Sequence, residues 1–205
     1  MTKAVVFDIG KVLIEWNPEP FYEAHLGAER AAAFFANSGI HEHNEQIDLG
    51  APFRETVEAL AKARPDWAEA IMLWHDEWLT MASPGIPHSA RLLAALKTKG
   101  VPVFALSNFG RETFEIACDA YPYLRSFDRL FVSAHHRLIK PDPRFYALLE
   151  QETGLAGPNL LFADDRPENI DAAAARGWKT HLFEHPQGWA DRLVAEGLLS
   201  AEEAA

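Results

Sequence analysis

Five short apolar runs, at residues 4–7, 101–106, 130–132, 160–163 and 180–183, punctuate this chain, and stretches with helical spacing separate most of them. Runs of that length read as strands buried on both faces. Between them Leu92, Leu93 and Leu96, then Phe145, Leu148 and Leu149, then Ile170, Ala173 and Ala174 repeat at the period of a helix with one apolar face. Pro167 stands near the first turn of the last of these helices and Gly177 just beyond it. Strand and helix in alternation imply a parallel sheet, and right-handed crossovers put helices on both of its faces. The expected fold is therefore α/β, a doubly wound, Rossmann-like parallel sheet whose ligands bind beyond the carboxyl ends of the strands.

One connection is too long for that rhythm. Residues 16–88 lie between the first and second runs, far more than a crossover helix requires. They carry two helical stripes, Phe53, Val57, Leu60 and Ala61, then Trp67, Ala70, Ile71, Trp74 and Trp78, and end at the turn-forming Pro84-Gly85-Ile86-Pro87. The chain is expected to divide into an α/β core at 1–15 and 89–205 and an inserted α-helical cap at 16–88 that covers the carboxyl edge of the sheet. The tryptophan stripe is expected to pack helix on helix, and the Ala- and Glu-rich last residues to fray.

Composition narrows the partners. Of 205 residues, 19 are Lys or Arg and 30 are Asp or Glu, a formal charge of −11 that repels nucleic acid and anionic membranes. An anionic substrate must then be captured by locally placed cations. Cys118 is the only cysteine, so neither an internal disulfide nor a multi-thiolate zinc site is expected. The first residues run into an apolar segment too short for a signal-peptide core, and no run approaches the roughly 20 apolar residues of a membrane span. A cytoplasmic protein follows as the expectation; its oligomeric state is not legible.

Several polar residues fall where strands should end. Asp8 closes the first run, Ser107 and Asn108 the second, and Asp164 and Asp165 the fourth, while Lys140 precedes Pro141 ahead of a helix. In a doubly wound sheet these positions converge on one crevice. A carboxylate there can attack phosphorus, two or three together can hold Mg²⁺, and a hydroxyl, an amide and an ammonium can neutralise phosphoryl oxygens. Adjacent acids after a buried strand repel unless a cation binds between them.

Phe7-Asp8-Ile9-Gly10-Lys11-Val12, Leu106-Ser107-Asn108, Lys140-Pro141-Asp142-Pro143 and Phe162-Ala163-Asp164-Asp165 resemble, in order and spacing, the four motifs of the haloacid dehalogenase-like hydrolase superfamily. The resemblance extends over nearly the whole chain, including a helical cap between the first and second motifs. It implies a Mg²⁺-dependent phosphatase with Asp8 as nucleophile and Ser107, Asn108 and Lys140 on the transferring group. Asp165 with Asp164, the Asp8 carboxylate and the Gly10 main-chain carbonyl would be the metal ligands. The substrate implied is a small phosphorylated metabolite such as a sugar phosphate.

Gly10 departs from the pattern, since most phosphatases of the superfamily carry a second Asp there as general acid and base. The same departure occurs in the α-glucose-1-phosphate phosphatase-like branch, which this chain also resembles in its Asp-x-Gly-x-Val motif and paired acids. Two alternatives stay open. One is a metal-independent 2-haloacid dehalogenase, although that family has an aromatic residue at the Gly10 position followed by Gly-Thr rather than Lys11-Val12. The other is a catalytically weak member that binds a phosphorylated ligand. In the cap, His41 and His43 fall where substrate-contacting loops of the superfamily lie, and an extended stretch would place both on one face. Lys11 and Arg166 read as surface residues, and His135-His136 as polar loop.

Overall fold

The computed structural model describes residues 2–205; Met1, the first residue of the expected core segment, lies outside them. Five parallel strands, β1 (Ala4–Phe7), β2 (Val103–Ser107), β3 (Arg129–Val132), β4 (Leu160–Asp164) and β5 (Lys179–Leu182), form one sheet in the order β3-β2-β1-β4-β5. The chain reverses its direction of travel across the sheet between β1 and β4, so the crevice of this doubly wound fold opens beside the end of β1. Register sharpens that placement: Phe7 pairs with Ala105 on one side and Ala163 on the other, which brings Asp8 level with Asp164.

Every residue of β1 is buried. Val5 and Phe7 face a core with Leu92, Leu93 and Leu96 of α7 (Pro87–Thr98) and Trp189 and Leu193 of α12 (Pro186–Ala195). Ala4 and Val6 face the other, with Phe145, Tyr146 and Leu149 of α10 (Pro143–Thr153) and Ala173 of α11 (Pro167–Ala175). Each large apolar side chain so covered contributes about 1.5–3 kcal/mol, which is why a four-residue strand can anchor the sheet. Two runs differ from expectation. Pro102 has no N–H to pair, so β2 starts at Val103 and extends to Ser107. The last run is an edge strand, half-buried, with Leu182 41% exposed.

Between β1 and α7 lie α1 (Pro18–Leu26), α2 (Ala28–Asn37), α3 (Ile40–Asp48), α4 (Phe53–Ala63), α5 (Ala68–Asp76) and α6 (Trp78–Met81). The stripe of Phe53, Val57, Leu60 and Ala61 is the buried face of α4. The tryptophan stripe is cut at Glu77 into α5 and α6, and Trp74 and Trp78 are both buried. The two crossings into and out of this layer run side by side, with Glu15 N–H donating to the Pro84 carbonyl and Ile86 N–H to that of Leu13, both at 2.8 Å. The hydroxyls of Tyr121 and Tyr123 hold the same segments through the carbonyls of Ala82 (3.1 Å) and Leu13 (2.8 Å). The chain's end does not fray: Ala204 is buried, and its carbonyl pairs with His88 Nε2 at 2.8 Å. No helix among the described residues is long and apolar enough to cross a membrane.

The helical layer touches the core at α9 (Ser133–His136), which meets α3, and at α8 (Arg111–Ala120), which meets α4 and α6. Ser133 Oγ donates to the Asp48 carbonyl at 2.6 Å, and Phe53 N–H donates to Glu112 Oε1 at 3.2 Å. Gly50, with φ of 100°, turns the chain there, and a Cβ on it would stand 2.9 Å from the Ala134 carbonyl oxygen. Gly50→Ala should therefore lower the unfolding free energy by about 1–3 kcal/mol, from the left-handed backbone alone, as measured by urea denaturation. A loss below about 1 kcal/mol would show that this turn accepts a side chain.

Candidate active site

Asp8 follows the last residue of β1, and its backbone N–H continues the ladder to the Ala163 carbonyl at 2.9 Å. Its Oδ1 accepts hydrogen bonds from Ser107 Oγ at 2.6 Å and from Ile9 N–H at 2.7 Å, and its Oδ2 faces Lys140 Nζ at 2.9 Å. The chain then turns sharply: the Ile9 carbonyl accepts from the amides of Val12, Leu13 and Ile14, and Lys11 takes a left-handed φ of 56°. That turn carries the backbone away and leaves the carboxylate lining the crevice.

Lys140 is the buried cation of the site. Its ammonium lies between Asp8 and Asp164, 2.6 Å from Asp164 Oδ2, and its side chain is 1% exposed. The Asn108 amide holds it there from both ends, accepting from Lys140 N–H at 2.7 Å and donating to the Lys140 carbonyl at 3.0 Å. Asn108, expected on the substrate, thus spends its side chain on the lysine's main chain. Asp164 accepts from Arg166 N–H and from the Asn169 amide as well as from Lys140, so its oxygens are largely occupied. Asp165 lines the cleft, partly exposed.

Oxygens of Asp8, Asp164 and Asp165 lie within 4.8 Å of one another. Burial raises the Asp8 carboxyl to about 7, with Lys140 pulling the other way and Asp164 adding to the rise. Burial and Asp164 raise Asp165 too. At Lys140 burial works against the charge, but Asp164 and Asp8 outweigh it, and the ammonium is held more firmly protonated than usual. One ammonium against three carboxylates leaves negative charge in a poorly solvated place. A small hard cation with oxygen ligands suits that donor set, and Gly10, which also lines the cleft, offers a main-chain oxygen beside it.

The cleft measures about 730 Å³ and runs from these residues up into the helical layer. Trp16, Trp74, Trp78 and Phe109 form an aromatic wall, and Lys11 and Arg166, read from sequence as surface residues, also border it. Residues 41–45 are helical, not extended, because 40–48 form α3 with Ile40 and Ile47 as its buried contacts. His41 and His43 therefore do not share a face. His41 lines the cleft and stacks on Phe35, whereas His43 does not, and its Nδ1 pairs with the Gly39 carbonyl at 2.8 Å. His135 and His136 sit in α9, not in a loop. Asn44, Asp48, Thr113 and Asn169 also border the cleft and carry no motif that would have marked them. Only the i, i+4 spacing of Asn44 and Asp48 hinted that they share a helix face.

Asp8 makes the fold's stability depend on pH in a definite direction. Its folded pKa of about 7 lies above the model-peptide value of 3.8, so the folded state holds a proton that the unfolded state has lost. Without metal, raising the pH from about 4 to about 7 should cost the wild type stability that Asp8→Asn does not lose. The melting-temperature difference, variant minus wild type in chelator, should grow across that window and level off above it. A difference that stays flat or shrinks would show that Lys140 neutralises Asp8 fully.

Comparison with known proteins agrees with this architecture. A sesquiterpene phosphatase of Aspergillus oryzae is 27% identical over 192 residues, covering 85% of this chain and 86% of that protein. An (S)-2-haloacid dehalogenase of Pseudomonas fluorescens is 29% identical over 108 residues, 53% of this chain and 48% of that one. A HAD family enzyme from Bacteroides thetaiotaomicron, solved with magnesium and inorganic phosphate, has the same fold, with a TM-score of 0.70 at 22% identity over 90% of this chain and 95% of that one. Residues 2–177 match the family of haloacid dehalogenase-like hydrolases, and with that span the chain belongs to it as a hydrolase.

Proposed function

We propose that this hydrolase is a Mg²⁺-dependent phosphatase that transfers the phosphoryl group of a small phosphorylated metabolite to Asp8. The observation that carries the reading is the convergence of three carboxylates, two of them buried against a single lysine, which a metal-free site would leave unbalanced. The phosphatase likeness and the magnesium and phosphate complex of the Bacteroides relative support it.

In this reading Asp8 attacks phosphorus in line, the bond to the departing oxygen breaks, and water later cleaves the aspartyl phosphate. Ser107 orients the attacking carboxylate through its bond to Oδ1. Lys140, fixed by Asn108, meets the phosphoryl oxygens with an ammonium that needs no reorganisation. Mg²⁺, held by Asp8, Asp165, the Gly10 carbonyl and Asp164, would supply Lewis-acid neutralisation of the same oxygens. The aromatic wall excludes water and takes the organic group, which can be a sugar or a more apolar alcohol. Lys11 and Arg166 at the border attract the anion against the protein's net charge.

The likeness to haloacid dehalogenases sustains one rival, attack of Asp8 on carbon with loss of halide and no metal. Phosphate release from a panel of phosphometabolites, against chloride release from 2-chloropropionate, each with Mg²⁺ and with chelator, separates the two. Asp8→Asn should abolish phosphate release, by at least about 10³-fold. Asp165→Asn should raise the Mg²⁺ concentration for half-maximal rate more than Asp164→Asn, because the Asp164 oxygens are already taken by Lys140, Asn169 and Arg166 N–H. Full phosphate release in excess chelator would refute the Mg²⁺ dependence, and chloride release in place of phosphate would refute the phosphatase.

A further inference from the structure

Transfer of a phosphoryl group from an ordinary ester expels an alkoxide, and an alkoxide needs a proton. Gly10 cannot give one, and its surroundings do not compensate: a Cβ placed on it would meet no heavy atom within 4 Å. Asp8 and Asp164 are engaged with Lys140, and in the phosphatase reading Asp165, the third converging carboxylate, is taken by the metal. The donor must therefore come from the helical layer, which lines the same cleft with Glu19, His41, Glu45 and Asp48.

Of these, Glu19, His41 and Glu45 are exposed, whereas Asp48 is half-buried and held in place. It ends α3, and its carbonyl is gripped by Ser133 Oγ. One turn earlier Asn44 donates from Nδ2 to Asp48 Oδ2 at 3.1 Å, and Trp74 Nε1 donates to Asn44 Oδ1 at 3.1 Å. The indole donor settles which way the amide points, so Asp48 Oδ2 accepts from Asn44 Nδ2. Gly110 lets α3 approach this closely, since a Cβ there would stand 2.5 Å from Ile47 Cγ2. Asp48 belongs neither to the converging carboxylates nor to their hydrogen bonds among the described residues.

We propose that Asp48 replaces the acid missing at Gly10, protonating the departing oxygen, with Asn44 and Trp74 as positioning residues. The inference rests on the phosphatase reading. As the bond from Asp8 to phosphorus forms, the electron pair of the breaking phosphorus–oxygen bond goes to the leaving oxygen, which takes the Asp48 proton and departs as an alcohol. The Asp48 carboxylate then accepts a proton from the water that attacks phosphorus, the bond to Asp8 breaks, and phosphate is released with Asp48 again protonated. The charged groups around Asp48 suit both halves. Burial, Glu45 of its own helix and Asp8 raise its carboxyl to about 8, while the Gly110 N–H and Lys140 act in the opposite sense, so it holds a proton at neutral pH.

The test uses two monophosphates of similar shape, p-nitrophenyl phosphate with an acidic leaving group and benzyl phosphate with a basic one, on the full chain with Mg²⁺. Asp48→Asn should lower kcat for benzyl phosphate about 10²-fold more than for p-nitrophenyl phosphate, the low end for a positioned acid. Adding Gly10→Asp to that variant should restore the benzyl rate, since the position is open and its φ is not left-handed. Wild-type kcat on benzyl phosphate should fall above a pH of about 8, a limb that Asp48→Asn lacks. Should Asp48→Asn not fold, Asn44→Leu, which frees the carboxyl without removing it, must show the same selective loss on a smaller scale. Equal losses on both substrates, or wild-type hydrolysis of the aryl ester alone, would overturn the donor and leave the phosphatase standing. Hydrolysis of neither ester by wild type would overturn both.

Discussion

The ammonium of Lys140, buried between Asp8 and Asp164, is the interaction on which the rest of the site depends. An isolated buried charge would cost several kcal/mol, and two buried carboxylates without a cation more still. The three groups can be withdrawn from water only together. Asp8 and Asp164 come from adjacent parallel strands in matching register, Ser107 from the strand on the other flank, and Lys140 is delivered by a loop that Asn108 pins to the end of β2. The sheet's order is thereby tied to the electrostatics: any topology that separated β1 from β4 would leave the lysine with one carboxylate and the other carboxylate with no cation.

A second constraint is steric. The helical layer is not strung loosely over the crevice but seated on it at two glycines. Gly50 passes beside the Ala134 carbonyl and Gly110 beside Ile47, and neither approach leaves room for a side chain. At the other end the paired crossings are stapled by Tyr121 and Tyr123. The consequence is a cleft with Asp8, Lys140 and Asp165 at its core end and with Trp16, Trp74 and Trp78 along its wall. Chemistry common to the family can stay with the sheet while specificity varies in the helices.

Gly10 shows how such a division can be used. Loss of a side chain at a strand end removes a proton donor but not a main-chain oxygen, so binding of a cation and protonation of a leaving group become separable. In the proposal above the second task falls to Asp48, which reaches the cleft through α3 rather than through the loop after β1.

Much was legible in one dimension. Four polar groups fall at the ends of apolar runs, and because a parallel sheet aligns its carboxyl ends, their order along the chain already implied that they meet. The strand and helix periods, the division between sheet and inserted helices and the interior place of Trp74 and Trp78 follow from local patterns of the same kind. What the sequence could not reveal is whatever depends on orientation between layers. Whether residues 41–45 run as helix or strand was decided by burial of Ile40 and Ile47 against their neighbours, and that separated His41 from His43. That Asn108 holds the Lys140 main chain, that Asp164 is hydrogen-bonded by Lys140, Asn169 and Arg166 N–H while Asp165 is not, and that Asp48 stands in the cleft with a raised pKa are likewise tertiary outcomes. Hydrogen-bond partners and desolvation arise from groups distant in sequence, and only the packed molecule decides which atoms lose their water together.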